Sequence, residues 1–91
     1  MAYRIIFSKE AAADWHHWKQ SGNQQVIRKI TELLKDMAEH PYIGIGKPEA
    51  LRYELAGCWS RRINGEHRIV YRVEEQTIEV CILSMRYHYR K

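Results

Sequence analysis

The stretch "VIRKITELLKDMAEHP" (residues 26–41) gives the strongest structural signal in the chain, because its apolar residues repeat with the period of an α-helix. The apolar stripe consists of Val26, Ile27, Ile30, Leu33, Leu34 and Met37. Proline disfavours helix in the residue before it, so His40-Pro41 is predicted to end the helix. A helix with one apolar stripe must bury it, which predicts a second layer.

The residues before this helix predict a strand and a shorter helix. Residues 3–7 (YRIIF) are β-prone, and Ser8 can cap a helix on which Ala11, Trp15 and Trp18 fall at helical spacing. The run "SGN" (21–23) ends that helix, and Asn23 can cap the long one. A strand followed by a helical hairpin is therefore predicted.

The residues after the long helix supply the sheet on which the hairpin packs. "PYIGIGKPEA" (41–50) holds two glycines and two prolines and is predicted to be an irregular loop. Strands are predicted at 51–55, on both sides of Asn64-Gly65 within 58–73, and at 76–85. The predicted fold is α+β, in the order β-α-α-β-β-β-β. The helical hairpin covers one face of a mainly antiparallel, twisted sheet in a single domain, 1–91.

Composition narrows the class of protein. The chain has 91 residues and a formal net charge of +4, and most of the positive surplus lies after residue 45, which suggests an acidic or phosphate-bearing partner. Its two cysteines and five histidines have no metal-ligand spacing, so neither metal nor cofactor is expected. No apolar run approaches a membrane span, and the N-terminus becomes charged too early for a signal peptide. We expect a reduced, cytoplasmic protein.

The Asn64-Gly65 hairpin predicts an arginine-rich sheet face. A two-residue turn pairs Arg61 with Arg68 and places Arg72 on the same side. The alternate residues Ile69, Tyr71 and Val73 then face the helices. In the last strand, alternation sends Leu83, Met85 and Tyr87 into the core and leaves Ser84, Arg86 and His88 facing the other way. If that side is the arginine face, Arg86 and His88 converge with the arginines there.

This pattern matches the needs of metal-free RNA cleavage. A base must take the proton of the 2′-hydroxyl, and an acid with a pKa near neutrality, as histidine has, must protonate the departing 5′-oxygen. Fixed donors such as arginine must meet the charge that builds on the phosphoryl oxygens. We expect the loop that carries Lys47 and Glu49 to reach the arginines and His88.

Three stretches carry a family resemblance: "GKPEAL" (46–51), "GCWSRRINGEHRIVY" (57–71) and "MRYHY" (85–89). Together with the helix "IRKITELLKDM" (27–37), they resemble the YoeB branch (also called Txe) of the RelE/ParE toxin superfamily. The resemblance implies a RelE/ParE-like fold and a toxin of a bacterial type II toxin–antitoxin pair, an endoribonuclease that cuts mRNA in the A site of the ribosome. It also implies a YefM-like antitoxin as partner and a homodimer.

The resemblance implies roles for individual residues. Glu49 would be the general base, His88 the general acid and Arg68 the group that stabilises phosphoryl charge, while Arg62 and Tyr89 match further functional positions. Cations expected to contact RNA are Lys47, Arg52, Arg61 and Arg86.

Two questions stay open at the level of sequence. The predicted register puts Arg62 on the opposite face from Arg68, so either the turn is bulged, or Arg61 contacts RNA in its place, or Arg62 acts from the sheet rim. The alternatives to an RNA-cutting enzyme are a gyrase inhibitor of the ParE type and a basic module that binds nucleic acid without chemistry. The joint presence of Glu49, Arg68 and His88 favours the enzyme.

Overall fold

The computed structural model describes residues 2–87. Its elements are β1 (Arg4–Phe7), α1 (Lys9–Ser21), α2 (Gln24–Glu39), β2 (Glu49–Ala50), a short 3-10 helix (Tyr53–Leu55), β3 (Trp59–Arg62), β4 (Arg68–Glu74) and β5 (Glu79–Ser84). The predicted order β-α-α-β-β-β-β is confirmed. His88 and Tyr89 lie outside the described residues.

The five strands form one sheet in the order β1-β5-β4-β3-β2. β1 runs parallel to β5, and every other neighbouring pair is antiparallel, so the predicted mainly antiparallel sheet is confirmed. Because the helical hairpin connects β1 to the rest of the sheet, the first strand can lie beside the last. β2 forms the other edge, next to β3.

Both helices begin and end where their caps predict. The Ser8 hydroxyl accepts a hydrogen bond from Ala11 N at 3.0 Å, and the Asn23 side chain accepts one from Val26 N at 3.2 Å. Gly22 ends α1 with a positive φ of 72°, a conformation that suits glycine. None of the helices in residues 2–87 has the length and apolar character needed to cross a membrane.

The main core lies between the helices and one sheet face. Ile30, Leu33 and Met37 of the α2 stripe are fully buried against Ile69 and Tyr71 of β4, with Val80 and Ile82 of β5 beside them. Burying each large aliphatic side chain contributes roughly 1.5–3 kcal/mol relative to leaving it exposed. The predicted role of the α2 stripe is confirmed, and Val73 packs at the border of this core, as predicted.

A second, smaller cluster lies on the opposite sheet face. It consists of Leu51, Cys58 and Val70, with Leu55 and Leu83 packed against it. The predicted strand at 51–55 is wrong, because the chain bends into the 3-10 helix and brings Leu51 and Leu55 to the same cluster. Strand pairing in this part of the chain is limited to Glu49–Ala50.

The prediction for the end of the sheet is partly wrong. A register shift falls between Val70 and Tyr71, which pair with Ser84 and Ile82, so Leu83 is an extra residue that packs on the second cluster. Met85 is fully buried in the main core, as predicted. Tyr87 is 54% exposed, not part of the core. Because β5 ends at Ser84, strand alternation does not fix the direction of Arg86.

Candidate active site

The turn of the β3–β4 hairpin is one residue longer than the sequence predicts. Ile63 N donates to His67 O at 2.9 Å, which leaves a loop of residues 64–66. The Asn64 side chain accepts from Glu66 N at 2.9 Å and from His67 N at 2.8 Å. A two-residue type I′ turn needs positive φ at both central residues, and neither Asn64 nor Gly65 has one. The side-chain bonds of Asn64 therefore hold a longer turn.

The longer turn exchanges the faces of the two neighbouring arginines. Arg62 pairs with Arg68, and Arg61 pairs with Ile69 of the main core. The predicted pairing of Arg61 with Arg68 is wrong. Of the three alternatives left open by the sequence, a shift of the alternation is the one found. Arg62 and Arg68 share the sheet face opposite the helices, which also carries the second cluster and which we call the open face.

Arg61, predicted to contact RNA, is instead fully buried on the helix side. Its Nη1 lies 2.6 Å from Asp36 Oδ2 of α2, and its Nε donates to the Tyr71 hydroxyl at 3.1 Å. Burial acts to raise the pKa of Asp36, but the hydrogen bonds from Arg61 and Ile45 N and the charge of Arg61 outweigh it, so this pKa is lowered. The guanidinium of Arg61 is therefore committed to the protein interior and is not available to a ligand.

Glu49 belongs to the same open face as Arg62 and Arg68. It pairs with Ser60 of β3, two residues from Arg62 along the strand. Strand spacing then places the Cα atoms of Glu49 and Arg68 roughly 12 Å apart. The Glu49 side chain is exposed, and that of Arg68 is half-buried. A carboxylate and two guanidinium groups therefore lie on the same face of three adjacent strands, a face that also carries the second cluster.

Arg62 and Arg68 lie directly opposite each other on adjacent strands. Like charges in such a position repel each other. Arg72 lies on the same face, but its Nε donates to Glu74 Oε2 at 2.6 Å. That hydrogen bond raises the pKa of Arg72. The open face thus carries two neighbouring arginines, Arg62 and Arg68, at the β3–β4 end.

The end of the described chain is held beside Arg68. Met85 N donates to Asp14 Oδ2 at 2.8 Å, and the Trp18 indole donates to Met85 O at 2.9 Å. Tyr87 N donates to His67 Nδ1 at 2.7 Å, while Arg68 N donates to Tyr87 O at 3.2 Å. Tyr87, the last described residue, therefore lies beside Arg68, the first residue of β4.

His67 is a supporting residue that the sequence analysis overlooked. Its side chain is buried, packs edge-on against Trp18 with ring centroids 4.8 Å apart, and accepts the hydrogen bond from Tyr87 N. Accepting at Nδ1 requires that Nε2 carries the proton of the neutral ring. Its place between Glu66 and Arg68 in "EHR" was the available signal, since it precedes a predicted site residue.

The remaining cations expected to contact RNA lie in three settings. Lys47 is exposed in the loop before β2 with a φ of +54°, and Arg52 is exposed just before the 3-10 helix. Arg86 places its guanidinium 4.8 Å from the Tyr87 ring centroid and donates to the Tyr87 hydroxyl at 2.7 Å. Their contacts with RNA stay a prediction. Within residues 2–87, no three His, Cys, Asp or Glu side chains group so as to hold a metal ion.

Known proteins match this chain over nearly its whole length. A family model for YoeB-like toxins of bacterial type II toxin–antitoxin systems matches residues 7–89. Toxin YoeB of Escherichia coli (strain K12) is 42% identical over 86 residues, which are 94% of this chain and 99% of that protein. The residues matched by the family model include Glu49, Arg62 and Arg68.

Solved structures from Staphylococcus aureus have the same fold. A YoeB dimer superposes with a TM-score of 0.84 at 41% identity, covering 98% of this chain and all of that one (100%). The toxin in a YoeB–YefM complex superposes with a TM-score of 0.83 at 42% identity, with the same coverage of 98% and 100%. The helical hairpin and five-stranded sheet are thus shared with proteins of related sequence.

Proposed function

Because the chain belongs to the family of YoeB-like toxins of bacterial type II toxin–antitoxin systems, we propose that it is an endoribonuclease that cuts mRNA in the ribosomal A site. Cleavage proceeds by attack of the 2′-hydroxyl on the neighbouring phosphorus. The products are a 5′-hydroxyl end and a 2′,3′-cyclic phosphate or its hydrolysed 3′-phosphate. Loss of intact mRNA on the ribosome stops translation.

The observation that carries this proposal is the shared open face of Glu49, Arg62 and Arg68. Glu49 acts as the general base and accepts the proton of the 2′-hydroxyl. Its carboxylate is exposed, so bound RNA can bring the hydroxyl within hydrogen-bond distance. Arg62 and Arg68 donate hydrogen bonds to the phosphoryl oxygens and stabilise the charge that develops there.

The proposed general acid is His88, which lies outside the described residues, as does Tyr89. Imidazole suits the role because its ordinary pKa of ~6.5 lets it hold and release a proton near neutrality. Support comes from Tyr87, whose carbonyl accepts the hydrogen bond of Arg68 N, so the chain leaves the described structure beside Arg68. Tyr89 is proposed to act with His88, as the family pattern implies.

The ribosome is proposed to supply the orientation that this small protein lacks. The site lies on an open sheet face and cannot enclose an RNA strand. Holding the reacting groups in line accounts for about 7–11 kcal/mol of a barrier in well-oriented systems. mRNA fixed in the decoding site provides that alignment of the reacting groups. Lys47, Arg52 and Arg86 contact its phosphates.

We propose a YefM-like antitoxin as the partner and a homodimer as an assembly of the free toxin. The related S. aureus proteins are described as a YoeB dimer and a YoeB–YefM complex. An acidic segment that folds on binding would neutralise the arginines of the open face. In the complex we expect the antitoxin to cover Arg68 or block access to it.

The proposal is tested by conservative removal of each proton-transfer group. Glu49→Gln and His88→Gln keep the size of each side chain, and we expect each to lower cleavage of mRNA by roughly 10²–10⁴-fold in a ribosome-dependent translation reaction. Mapping of 5′ ends after brief incubation measures the cuts. Antitoxin binding and the melting temperature serve as controls for folding.

Each outcome of this test has a clear consequence. Cleavage by either variant at the wild-type rate would refute the role assigned to that residue. Intact mRNA with the wild-type protein would refute the proposed activity, and inhibition of DNA supercoiling by gyrase in its place would identify a ParE-type poison. Steeply salt-dependent RNA binding without cuts would identify a binding module.

A further inference from the structure

Arg61 is the central anchor of the loop between α2 and β2. Its guanidinium donates five hydrogen bonds, of which three go to backbone carbonyls of this region: His40 O, Ile43 O at 2.9 Å and Ile45 O at 3.2 Å. The other two go to Asp36 and Tyr71. A buried cation is tolerated only when it is paired and its protons are accepted, and all five donors of this fork have an acceptor. The loop is therefore built around one side chain.

The acceptors of Arg61 also bind the loop themselves. Asp36 Oδ2 accepts a second hydrogen bond, from Ile45 N at 3.1 Å, and the Tyr71 hydroxyl donates to Pro41 O at 2.8 Å. The loop packs so closely on this group that a Cβ at Gly44 would lie 1.9 Å from Asp36 Oδ2. Arg61, Asp36 and Tyr71, which we call the loop anchor, thus fix the chain from residue 40 to residue 45.

The fixed loop leads directly to the proposed general base. Gly46 O accepts a hydrogen bond from Arg62 N at 2.7 Å, and three residues later Glu49 pairs with Ser60. β2 has only two residues, Glu49 and Ala50, so its own strand pairing is short. The chain after β2 is held by the hydrogen bond from Leu51 N to Cys58 O at 2.9 Å. On its other side, the position of Glu49 depends on the loop that precedes it.

We propose that Arg61 is a positioning residue for the cleavage reaction: from the buried side of β3 it holds the 40–45 segment so that Glu49 is presented on the same face as Arg62 and Arg68. The inference rests on the proposed ribonuclease function. Arg61 itself touches no substrate. A misplacement of about 1 Å at a reacting group costs roughly 10²-fold in rate, so a loosened loop lowers the rate without altering the RNA contacts.

Arg61→Lys provides the test, because lysine keeps the charge beside Asp36 but replaces the planar five-donor fork with a single ammonium. We expect single-turnover cleavage on mRNA-programmed ribosomes to fall about 10²-fold at saturating ribosome concentration. The ribosome concentration that gives half the maximal rate should stay within about threefold, since the cations of the open face are unchanged. Amide hydrogen exchange should accelerate in residues 43–49.

A matched control separates positioning from general destabilisation. Ile30→Val removes one methylene from the fully buried α2 stripe, away from the loop anchor, and lowers the melting temperature through the core alone. It should cut mRNA at the wild-type rate. Asp36→Asn is the second anchor variant, which keeps the side-chain volume and should lower the cleavage rate in the same direction as Arg61→Lys.

A double-mutant cycle with Glu49→Gln completes the test. If Arg61 acts through Glu49, Arg61→Lys should lower the residual rate of the Glu49→Gln protein by less than about threefold, because the group it positions is absent. A further drop of about 10²-fold when Arg61→Lys is added to the Glu49→Gln protein would overturn this inference but not the proposed function. So would cleavage at the wild-type rate by the Arg61→Lys protein. A wild-type protein that leaves ribosome-bound mRNA intact would overturn the proposed function instead.

Discussion

Arg61 and Arg62 are consecutive residues of β3, yet one is fully buried on the helix-covered face and the other is exposed on the open face. On the covered face a guanidinium has five acceptors and organises a loop. On the open face a guanidinium lies directly opposite another arginine, Arg68. The same side chain therefore organises a loop on one face and is exposed beside another arginine on the other, and strand register decides which.

The largest expected effect comes from truncating each arginine in turn. Arg61→Ala leaves the partly buried Asp36 carboxylate and three loop carbonyls without their donor, and should lower the free energy of unfolding by about 3 kcal/mol. Arg62→Ala should change it by no more than about 0.5 kcal/mol. Urea unfolding followed by tryptophan fluorescence measures both. Equal losses for the two variants would contradict the contrast between the faces.

A smaller effect is expected from a methyl group placed in the loop. Gly44 has a φ of +126°, and a Cβ there would collide with Asp36 Oδ2, so Gly44→Ala should lower the free energy of unfolding by about 2 kcal/mol. Gly57 is the matched control, because its φ of +93° is also strained for alanine but no atom lies within 4 Å of its added Cβ. Gly57→Ala should lower it by about 1 kcal/mol. A larger loss of unfolding free energy for Gly57→Ala than for Gly44→Ala in urea would refute the close packing of Gly44 on Asp36.

The smallest expected effect is a dependence of stability on acid. The pKa of Asp36 is lowered below its ordinary 3.8, so its ionised form stabilises the folded state above that pH, and the contribution is lost as pH falls through the lowered value. Asp36→Asn should flatten this part of the curve of unfolding free energy between pH 2 and 5. Glu75 and Glu79 also have lowered pKa values, through hydrogen bonds from Tyr42 and Arg4 respectively, and their share should persist in the variant. An unchanged curve in the Asp36→Asn protein would show that the Asp36–Arg61 pair contributes nothing to the acid dependence of the free energy of unfolding.

The helices could be predicted because their signals are local. Ser8 and Asn23 cap the residues that directly follow them, and the stripe from Val26 to Met37 repeats within one element. Neither signal depends on what the chain does far away. The order of the strands along the chain followed from the same local patterns, which is why the fold class was correct although β2 was placed too late.

The candidate site was harder to predict because it depends on pairing between strands. Asn64-Gly65 favours a two-residue turn by its composition, but the Asn64 side chain bonds Glu66 N and His67 N and lengthens the turn by one residue. Since side chains alternate with period two, a shift of one residue moves each arginine to the other face. The role of Arg61 in the loop has no local signal, because its acceptors come from α2, β4 and the loop between them.

The amino-acid sequence by itself determined the element order, the ends of the helices, the apolar stripe of α2 and the family, since each is written in neighbouring residues or in a continuous run of matching ones. Only the tertiary structure decided which of two adjacent arginines is buried and that Glu49 shares a sheet face with Arg62 and Arg68. It also decided that the buried Arg61 binds the loop before Glu49. The physical reason is that faces of a sheet are set by the pairing of strands distant in sequence. One extra residue in a turn is enough to reverse them.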